Sequence, residues 1–268
     1  MSLRGRPARS QRLVVLLGIL ACAAPIATAA EAQAADAGAI DRAVNHPGRT
    51  RADLQRDRTS HPADVLRFAG VRPGMVVLDL LAGDGYYSEL LARAVGPSGR
   101  VYLHNNQAYL GLLRRVPDRR RGTGMEALEI YVREMEDINL PSETVDLVMM
   151  VKVYHDLYYV NNGWNVPPGP ILATLRRVLK PGGALVIVDH RAPDGTGHAF
   201  AQNRHRIAAD FTREDLTARG FVFDGESQAL ANPADDRTGS PFARELRGRT
   251  DRFLHRYRKP APADADSG

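Results

Sequence analysis

A short apolar run followed by a glycine-rich turn constrains the fold of this chain more than any other feature. Residues 75–88 read MVVLDLLAGDGYYS, and residues 75–80 are apolar except for Asp79. Such a run is typical of a strand buried on both faces of a parallel sheet. Apolar residues at helical spacing follow the turn. Strand, glycine turn and helix together form the ligand-holding corner of doubly wound α/β folds.

Gly83 and Gly85 are the residues of this turn that matter most for a ligand. Without a side chain they can adopt positive φ, and they let a ligand lie directly against the backbone. The helix that follows presents the positive end of its dipole at the same place. The turn is therefore a candidate binding site for a small molecule.

Two stretches resemble the class I S-adenosylmethionine-dependent methyltransferases. In the family's first motif an acidic residue precedes GxGxG; here Asp79 supplies the acid, Gly83 and Gly85 are the last two glycines, and Leu81 stands where the first is expected. The second stretch, LKPGGALVIVDH at 179–190, is similar to a helix, PGG turn and strand that recur in the family. The resemblance covers roughly residues 58–258 and is closest to exported predicted methyltransferases of bacteria.

The resemblance implies an α/β fold with a doubly wound, seven-stranded, mostly parallel sheet and helices on both faces. It also implies S-adenosylmethionine as the cofactor. Ala82, Gly83 and Gly85 would make room for the methionine portion of the cofactor, and Asp79 would orient that portion.

The resemblance places two further contacts to the cofactor. After the second predicted strand the family has an acid that holds the ribose hydroxyls; Asn105 takes that place without the charge. The alternative for Asn105 is a turn residue that tolerates left-handed φ. Beyond the third strand, Glu134 best matches the acid that binds the adenine amino group, with Glu136 and Asp137 as alternatives. These acids could instead line a surface turn.

A titratable cluster follows the fourth predicted strand. Tyr154, His155 and Asp156 come directly after the apolar run, and the carboxyl ends of central strands open on the ligand crevice of such sheets. An imidazole is a natural proton acceptor near neutral pH. We predict that His155 is the catalytic base, oriented by Tyr154 and Asp156, with His190 or His205 as alternatives. Equally, His155 and Asp156 could hydrogen-bond to each other or cap the next segment.

The first 29 residues predict a secretory signal peptide. Four arginines precede an apolar run, and small residues in A-x-A spacing follow it. The alternatives are a retained membrane anchor or a lipid anchor at Cys22, the only cysteine. We expect a periplasmic or secreted protein with no membrane insertion after removal of the signal.

Removal of that segment leaves a nearly neutral chain. Four of the 36 Lys and Arg residues lie in that segment, so 32 basic and 31 acidic residues remain. A general polyanion-binding function therefore has little support, and we expect no nucleic-acid partner. The remaining chain has no cysteine, which excludes disulfides and Cys-bound zinc. No two histidines have HxH or HExxH spacing, and we predict no bound metal.

The sequence predicts four segments: a signal peptide at 1–29, a spacer or covering segment at 30–58, a methyltransferase-like domain at 59–259 and a disordered tail at 260–268. Within the domain, Ser60 is expected to cap a helix. A helix is predicted near 109–116. Thr212 and Asp215 indicate a capping box. Residues 161–170, NNGWNVPPGP, are expected to form a rigid loop that could cover the site.

The sequence supports two alternative functions. The first is methyl transfer from S-adenosylmethionine to an unknown small-molecule substrate, which requires alignment of the acceptor and removal of its proton. The second is an exported ligand-binding protein on the same fold without turnover, which the absent first glycine, the absent ribose acid and the export signal favour. A nicotinamide oxidoreductase has less support, because Ser88 stands where its third glycine is required.

Overall fold

The structure is a computed structural model that describes Met1 and residues 29–119, 124–161 and 163–261. Residues 2–28, which hold most of the predicted signal peptide and Cys22, lie outside the described residues, as does 262–268 of the predicted tail. Within the described ranges, none of the helices combines the length and the apolar composition that crossing a membrane needs.

Nine strands and eight α-helices make up the described chain. The strands are β1 (Val76–Leu80), β2 (Arg100–Asn105), β3 (Leu128–Val132), β4 (Val145–Val151), β5 (Val160–Asn161), β6 (Trp164–Asn165), β7 (Leu179–His190), β8 (Val222–Ser227) and β9 (Arg252–Arg258). The helices are α1 (Ala29–Val44), α2 (Arg51–Ser60), α3 (Pro62–Ala69), α4 (Tyr86–Val95), α5 (Val116–Arg119), α6 (Pro168–Val178), α7 (Ala201–Arg204) and α8 (Ala209–Ala218). Three 3₁₀ helices cover Gln107–Arg115, Met135–Asp137 and His155–Tyr158.

Seven of the strands form one sheet in the order β3-β2-β1-β4-β7-β9-β8. The first five run parallel, and β9 is antiparallel to both β7 and β8. The predicted seven-stranded, mostly parallel α/β fold is thereby confirmed. The chain passes from β1 outward to β3 and then returns to β4 on the other side of β1. This reversal makes the carboxyl ends of β1 and β4 the position where such sheets bind ligands.

The sheet is covered on both faces, as predicted. Alternate residues of a strand point to opposite faces, so Val77 belongs to one buried apolar cluster and Leu78 to another. The first cluster includes Leu66 of α3 and Leu90 of α4. The second includes Leu172 of α6, together with residues of α8. The central strands are therefore apolar on both faces, which accounts for their unbroken apolar runs.

The glycine turn after β1 keeps its backbone shape despite the leucine in it. Leu81 has a φ of 51°, in the left-handed region that glycine favours, and Gly83 and Gly85 follow with 62° and 79°. A leucine in this region costs about 1–2 kcal/mol. Its side chain is only 3 % exposed and packs with Leu78 and Leu80. Burial of the side chain offsets the backbone cost.

The PGG segment is a bulge within β7 and not a separate turn before it. Pairing with β4 jumps from Val145↔Leu179 to Leu147↔Ala184, which leaves Pro181 to Gly183 outside the regular ladder. A Cβ on Gly183 would lie 2.8 Å from the Lys180 carbonyl oxygen, closer than real Cβ atoms come. A glycine is thus required here by the close approach of the backbone.

Several local predictions are wrong. The segment at 30–58, predicted as a spacer or covering segment, is not an unstructured spacer: it holds most of α1 and of α2, and α1 packs on α3 and α4 with Ile40 in the first apolar cluster. Ser60 ends α2, and His61, with a φ of 40°, occupies the N-cap of α3. Thr212 lies inside α8, and its hydroxyl donates to the Ala208 carbonyl oxygen. The helix expected near 109–116 is a 3₁₀ helix continued by α5, and the loop at 161–170 contains most of the β5–β6 hairpin.

Candidate active site

A cavity of about 660 Å³ opens at the carboxyl ends of β1 and β4. Six residues predicted from sequence line it: Ala82, Gly83, His155, Asp156, His190 and His205. Its volume lies within the roughly 300–1,000 Å³ of small-molecule sites. A cavity of about 820 Å³ is larger but lies between α8 and the segment after β7. Position at the topological switch point, and not size, therefore selects the first cavity as the candidate site.

The end of β2 holds the glycine turn in place. Gly83 N donates to Asn105 Oδ1 at 2.9 Å, and Asn105 Nδ2 donates to the Gly83 carbonyl oxygen at 2.8 Å. His104 accepts from Leu81 N through Nδ1 and approaches the Arg133 carbonyl oxygen with Nε2. Burial lowers the pKa of His104 to about 4, so the imidazole is neutral and Nε2 is the donor. Asn105 is thus engaged with the turn itself, and a contact to ribose stays a prediction.

Asp79, in β1, contacts α4, the helix that follows the turn. It is 2 % exposed, and the Ser88 hydroxyl donates to its Oδ2 at 2.6 Å. Burial raises the pKa of Asp79 to about 7, against the opposing effects of the Ser88 hydrogen bond and the Arg56 charge. Asp79 lines a small cavity of about 30 Å³ with Arg56 and Ala82, next to the main one. Gly85 forms the N-cap of α4.

The acids predicted to bind adenine lie outside the described wall of the cavity. Glu134 Oε1 accepts from Gln107 N at 3.1 Å, which ties the end of β3 to the 3₁₀ helix after β2. Asp137 is exposed within the 3₁₀ helix Met135–Asp137. Binding of the adenine amino group by Glu134 or Asp137 therefore stays a prediction.

His155 lies between two carboxylates. Its Nδ1 is 2.8 Å from Asp189 Oδ1, and its Nε2 is 3.2 Å from Asp156 Oδ1. Asp189 is fully buried and also accepts from the backbone N–H groups of His155 and His190 at 2.9 and 2.7 Å. These two backbone bonds fix the carboxylate, and the carboxylate fixes the imidazole ring.

The two carboxylates decide the protonation of His155. Burial lowers its pKa, but the charges and hydrogen bonds of Asp189 and Asp156 outweigh burial and raise the pKa to about 10. For Asp156, burial opposes ionisation, while hydrogen bonds with His155 and His205 prevail and lower its pKa to about 2. At neutral pH His155 is therefore an imidazolium that donates two hydrogen bonds. In this arrangement it is a positioning group and not the proton acceptor that the sequence predicted.

Tyr154 lies apart from this cluster, contrary to the prediction that it orients His155. Its hydroxyl donates to Asp215 Oδ2 at 2.5 Å, and the Tyr158 hydroxyl donates to the same oxygen at 2.6 Å. Burial, with Tyr158 and Asp215, raises the pKa of Tyr154 well above its usual value. Asp189 occupies the orienting position instead. It is the penultimate residue of β7, at the carboxyl end of that strand.

The two other candidate histidines reach the same cavity. His190 Nδ1 lies 2.7 Å from the Thr250 hydroxyl, and burial together with the cationic His155 lowers the pKa of His190 well below its usual value. His205 packs edge-on against His155, with ring centroids 5.4 Å apart. Unlike His155, neither histidine is held between two carboxylates in the described structure.

Three residues of the cavity wall were missed by sequence reasoning. Arg56 of α2 comes from the predicted spacer, and its guanidinium lies 4.0 Å from the Tyr86 ring centroid. Lys152 follows β4, and burial lowers its pKa to about 8. The Tyr109 hydroxyl donates to Asp156 Oδ2 at 3.3 Å. Of these three residues, only Lys152 could have been identified from the sequence, because it directly follows a predicted strand.

One family model and several known proteins match the chain. Residues 78–187 match the methyltransferase domain family. The ubiquinone/menaquinone biosynthesis C-methyltransferase UbiE of Bordetella avium is 34 % identical over 122 residues, which are 45 % of this chain and 43 % of that protein. The chain thus spans less than half the length of this curated relative.

Solved structures of low sequence identity share the fold. An S-adenosylmethionine-dependent methyltransferase from Aquifex aeolicus has a TM-score of 0.54 and 23 % identity, and the match covers 74 % of this chain and 89 % of that one. The [4+2]-cyclase SpnF has a TM-score of 0.55 and 17 % identity over 86 % and 95 % of the two chains. The fold alone therefore does not specify a reaction. Residues 78–187 thus match a methyltransferase domain, and the chain shares its fold with S-adenosylmethionine-dependent methyltransferases. This match implies S-adenosylmethionine as the cofactor.

Proposed function

We propose that this protein is an S-adenosylmethionine-dependent methyltransferase that acts on a small-molecule substrate. One observation carries the proposal: the glycine turn after β1 and the histidine–carboxylate cluster after β4 line a single cavity. The turn is where the family holds its cofactor, and the cluster supplies titratable groups within the same enclosed space. A methyl donor and an acceptor held there would be neighbours.

The turn fits the cofactor by its shape. Gly83 has a φ of 62°, and a Cβ built on it would meet only Leu112 Cδ1 within 4 Å, at 3.5 Å, among the described residues. Leu112 itself lines the cavity, so the backbone of Gly83 is open toward that space. Ala82 and Gly83 would hold the methionine portion there.

The protein has two tasks in this reaction. When bound, S-adenosylmethionine supplies a methyl group on a sulfonium, which is already a good leaving group. His155 and Asp156 would position the acceptor, because one donates and the other accepts hydrogen bonds in a fixed geometry. His190, which is not held between two carboxylates, would take up the acceptor's proton. Positioning of this kind supplies roughly 7–11 kcal/mol in favourable cases.

Binding and transfer can be tested separately. Isothermal titration of the purified protein with S-adenosylmethionine and with its demethylated product should show one site of micromolar affinity. Incubation with methyl-labelled cofactor and fractions of small metabolites should then yield a labelled product. A folded protein that binds neither form of the cofactor would overturn the proposal.

The second candidate is a ligand-binding protein on the same fold. Two observations favour it: His155 is clamped as an imidazolium, and Asn105 faces the Gly83 backbone. If the protein is such a binding protein, it should bind S-adenosylmethionine but release no demethylated product with any fraction of small metabolites. A labelled product that disappears in the His190→Gln variant would exclude it.

We also propose that the first 29 residues direct export and are removed. The arginines, the apolar run and the A-x-A spacing support this assignment. Expression in bacteria followed by fractionation should yield a periplasmic protein whose amino terminus lies near residue 30. An intact terminus in a cytoplasmic protein would contradict the proposal.

A further inference from the structure

Three side chains with metal-binding atoms converge at the far wall of the cavity. They are His155 and Asp156 in the 3₁₀ helix after β4, and His205, which follows α7. One ring nitrogen of each histidine and one oxygen of the carboxylate lie within 4.8 Å of one another. Asp156 Oδ1 is 3.2 Å from His155 Nε2 and 3.9 Å from His205 Nδ1.

We propose that His155, Asp156 and His205 bind a divalent transition-metal ion such as Zn²⁺, which would displace the Nε2 proton of the His155 imidazolium to solvent. Two imidazoles and one carboxylate form a donor set that suits first-row transition metals, whereas Mg²⁺ and Ca²⁺ prefer oxygen ligands alone. Ligands at about 2.1 Å from a tetrahedral ion lie roughly 3.4 Å from one another. The observed separations approach this value. Closure by about an ångström at His205, whose side chain is 25 % exposed, would complete the geometry.

The surroundings of His155 match those of a metal ligand. Asp189 holds Nδ1 at 2.8 Å and is itself held by two backbone N–H groups. A histidine that binds a metal almost always donates a hydrogen bond from its second ring nitrogen to a carboxylate or carbonyl oxygen. This bond fixes the tautomer and the direction of the ligating nitrogen. Here that arrangement directs Nε2 toward Asp156 Oδ1.

The other two ligands are also held in place. Tyr109 donates to Asp156 Oδ2, which leaves Oδ1 directed at the histidines. His205 has a φ of 50° and terminates α7. Its ring packs between Tyr159 and Phe242, with centroid distances of 4.9 and 5.0 Å. A histidine held in the left-handed region and flanked by two aromatic rings is positioned by the fold.

The ion would face the space proposed for the acceptor. All three ligands line the cavity, and a three-residue donor set leaves at least one coordination position open. If the proposed methyl transfer holds, the substrate class would be molecules with an acidic oxygen, such as a hydroxyl or carboxylate group, that can bind the ion. The oxygen would lose its proton more readily on the metal.

Metal binding can be measured without turnover. Full-length protein without a histidine tag, stripped with a chelator, should bind one equivalent of Zn²⁺ in competition with a chromophoric chelator, and Co²⁺ should give the visible spectrum of a protein-bound ion. Asp156→Asn and His205→Gln should each weaken Zn²⁺ binding at least 100-fold. Asp189→Asn, which alters only the support of His155, should weaken it about 10–100-fold.

A matched control comes from the same region. His198→Gln changes an exposed histidine that stacks on Tyr158, outside the cluster, and should bind Zn²⁺ as the parent does. Absence of Zn²⁺ binding by folded parent protein would overturn the proposal, and so would equal affinity in His205→Gln. S-adenosylmethionine titrated into the stripped protein reports the proposed function independently. Failure of either proposal is thus distinguishable from failure of the other.

Discussion

The side-chain amide of Asn105 exchanges two hydrogen bonds with the backbone of Gly83. Oδ1 accepts from Gly83 N at 2.9 Å, and Nδ2 donates to the Gly83 carbonyl oxygen at 2.8 Å. Asn105 is fully buried, so neither bond competes with water. The pair locks the end of β2 to the glycine turn. An amide can make both bonds because it supplies a donor and an acceptor, whereas an ionised carboxylate only accepts.

Replacement of this amide by a carboxylate is expected to destabilise the protein. Asn105→Asp removes the donor and places a buried charge beside the Gly83 carbonyl oxygen, which should lower the free energy of unfolding by about 1–3 kcal/mol. Urea unfolding at pH 7 would measure the change. Asn139→Asp is the matched control, since Asn139 is exposed and its Oδ1 only accepts, from the Tyr131 hydroxyl. Equal stability of the two variants would show that the exchange is energetically unimportant.

A methyl group at the glycine turn should interfere with the cofactor. Gly83→Ala adds a Cβ on the side of the cavity and should weaken S-adenosylmethionine binding at least ten-fold, as measured by isothermal titration. Alanine at positive φ also costs about 1 kcal/mol of stability. Gly195→Ala controls for this cost, because Gly195 has a φ of 77° and its Cβ would meet no described atom within 4 Å. If both variants bind alike, the turn is not the binding site.

The buried carboxyl of Asp79 should make stability depend on pH. Its pKa is raised to about 7 in the folded state, against 3.8 unfolded. Between these values the folded state holds a proton that the unfolded state has lost, so the free energy of unfolding falls as pH rises. The contribution approaches about 1.4 kcal/mol per pH unit within this window.

Asp79→Asn tests this dependence because the amide keeps the shape and can still accept from Ser88. Urea unfolding at pH 4, 5, 6, 7 and 8 should show the variant gaining stability relative to the parent up to about pH 7, and a constant difference above it. Parallel curves over the whole range would mean that Asp79 ionises normally in the folded protein.

Removal of the cation between two carboxylates should be costly. His155→Gln leaves Asp189 and Asp156 without their charged partner, and loss of one member of a buried ion pair typically costs 3–5 kcal/mol. Unfolding is measured in the presence of a chelator, so that metal binding does not contribute. The double variant His155→Gln/Asp156→Asn should recover part of the loss, with a coupling of about 0.5–3 kcal/mol. Strict additivity would show that the two side chains do not interact.

Sequence patterns located the sheet well because they depend on local properties. The apolar runs at β1, β4 and β7 are buried on both faces, and such runs are recognisable without knowledge of their neighbours. Helix α1, within the predicted spacer or covering segment, was missed for the opposite reason. It is rich in alanine and has a weak periodicity, and it is stabilised by docking on α4 and α3.

The candidate site was predictable in position but not in its contacts. His155 and Asp156 lie past a strand end, where the topology directs ligand-binding groups, and they do line the cavity. The sequence did not predict the side-chain hydrogen-bond partners of Asn105, Tyr154 and Asp189. A strand end places a residue to within a few ångströms, but the partner of its side chain depends on the packing of segments remote in sequence.

By itself, the sequence determined the buried strands of the sheet, the glycine turn and the strand ends that meet at it, since hydrophobic period and glycine placement act within a few residues. Only the tertiary structure decided that Asp189 clamps His155, that Arg56 enters the cavity from α2, and that His205 approaches Asp156 across 49 positions of the chain. Those contacts depend on side-chain directions and burial, which are defined only once the sheet and its helices have packed together.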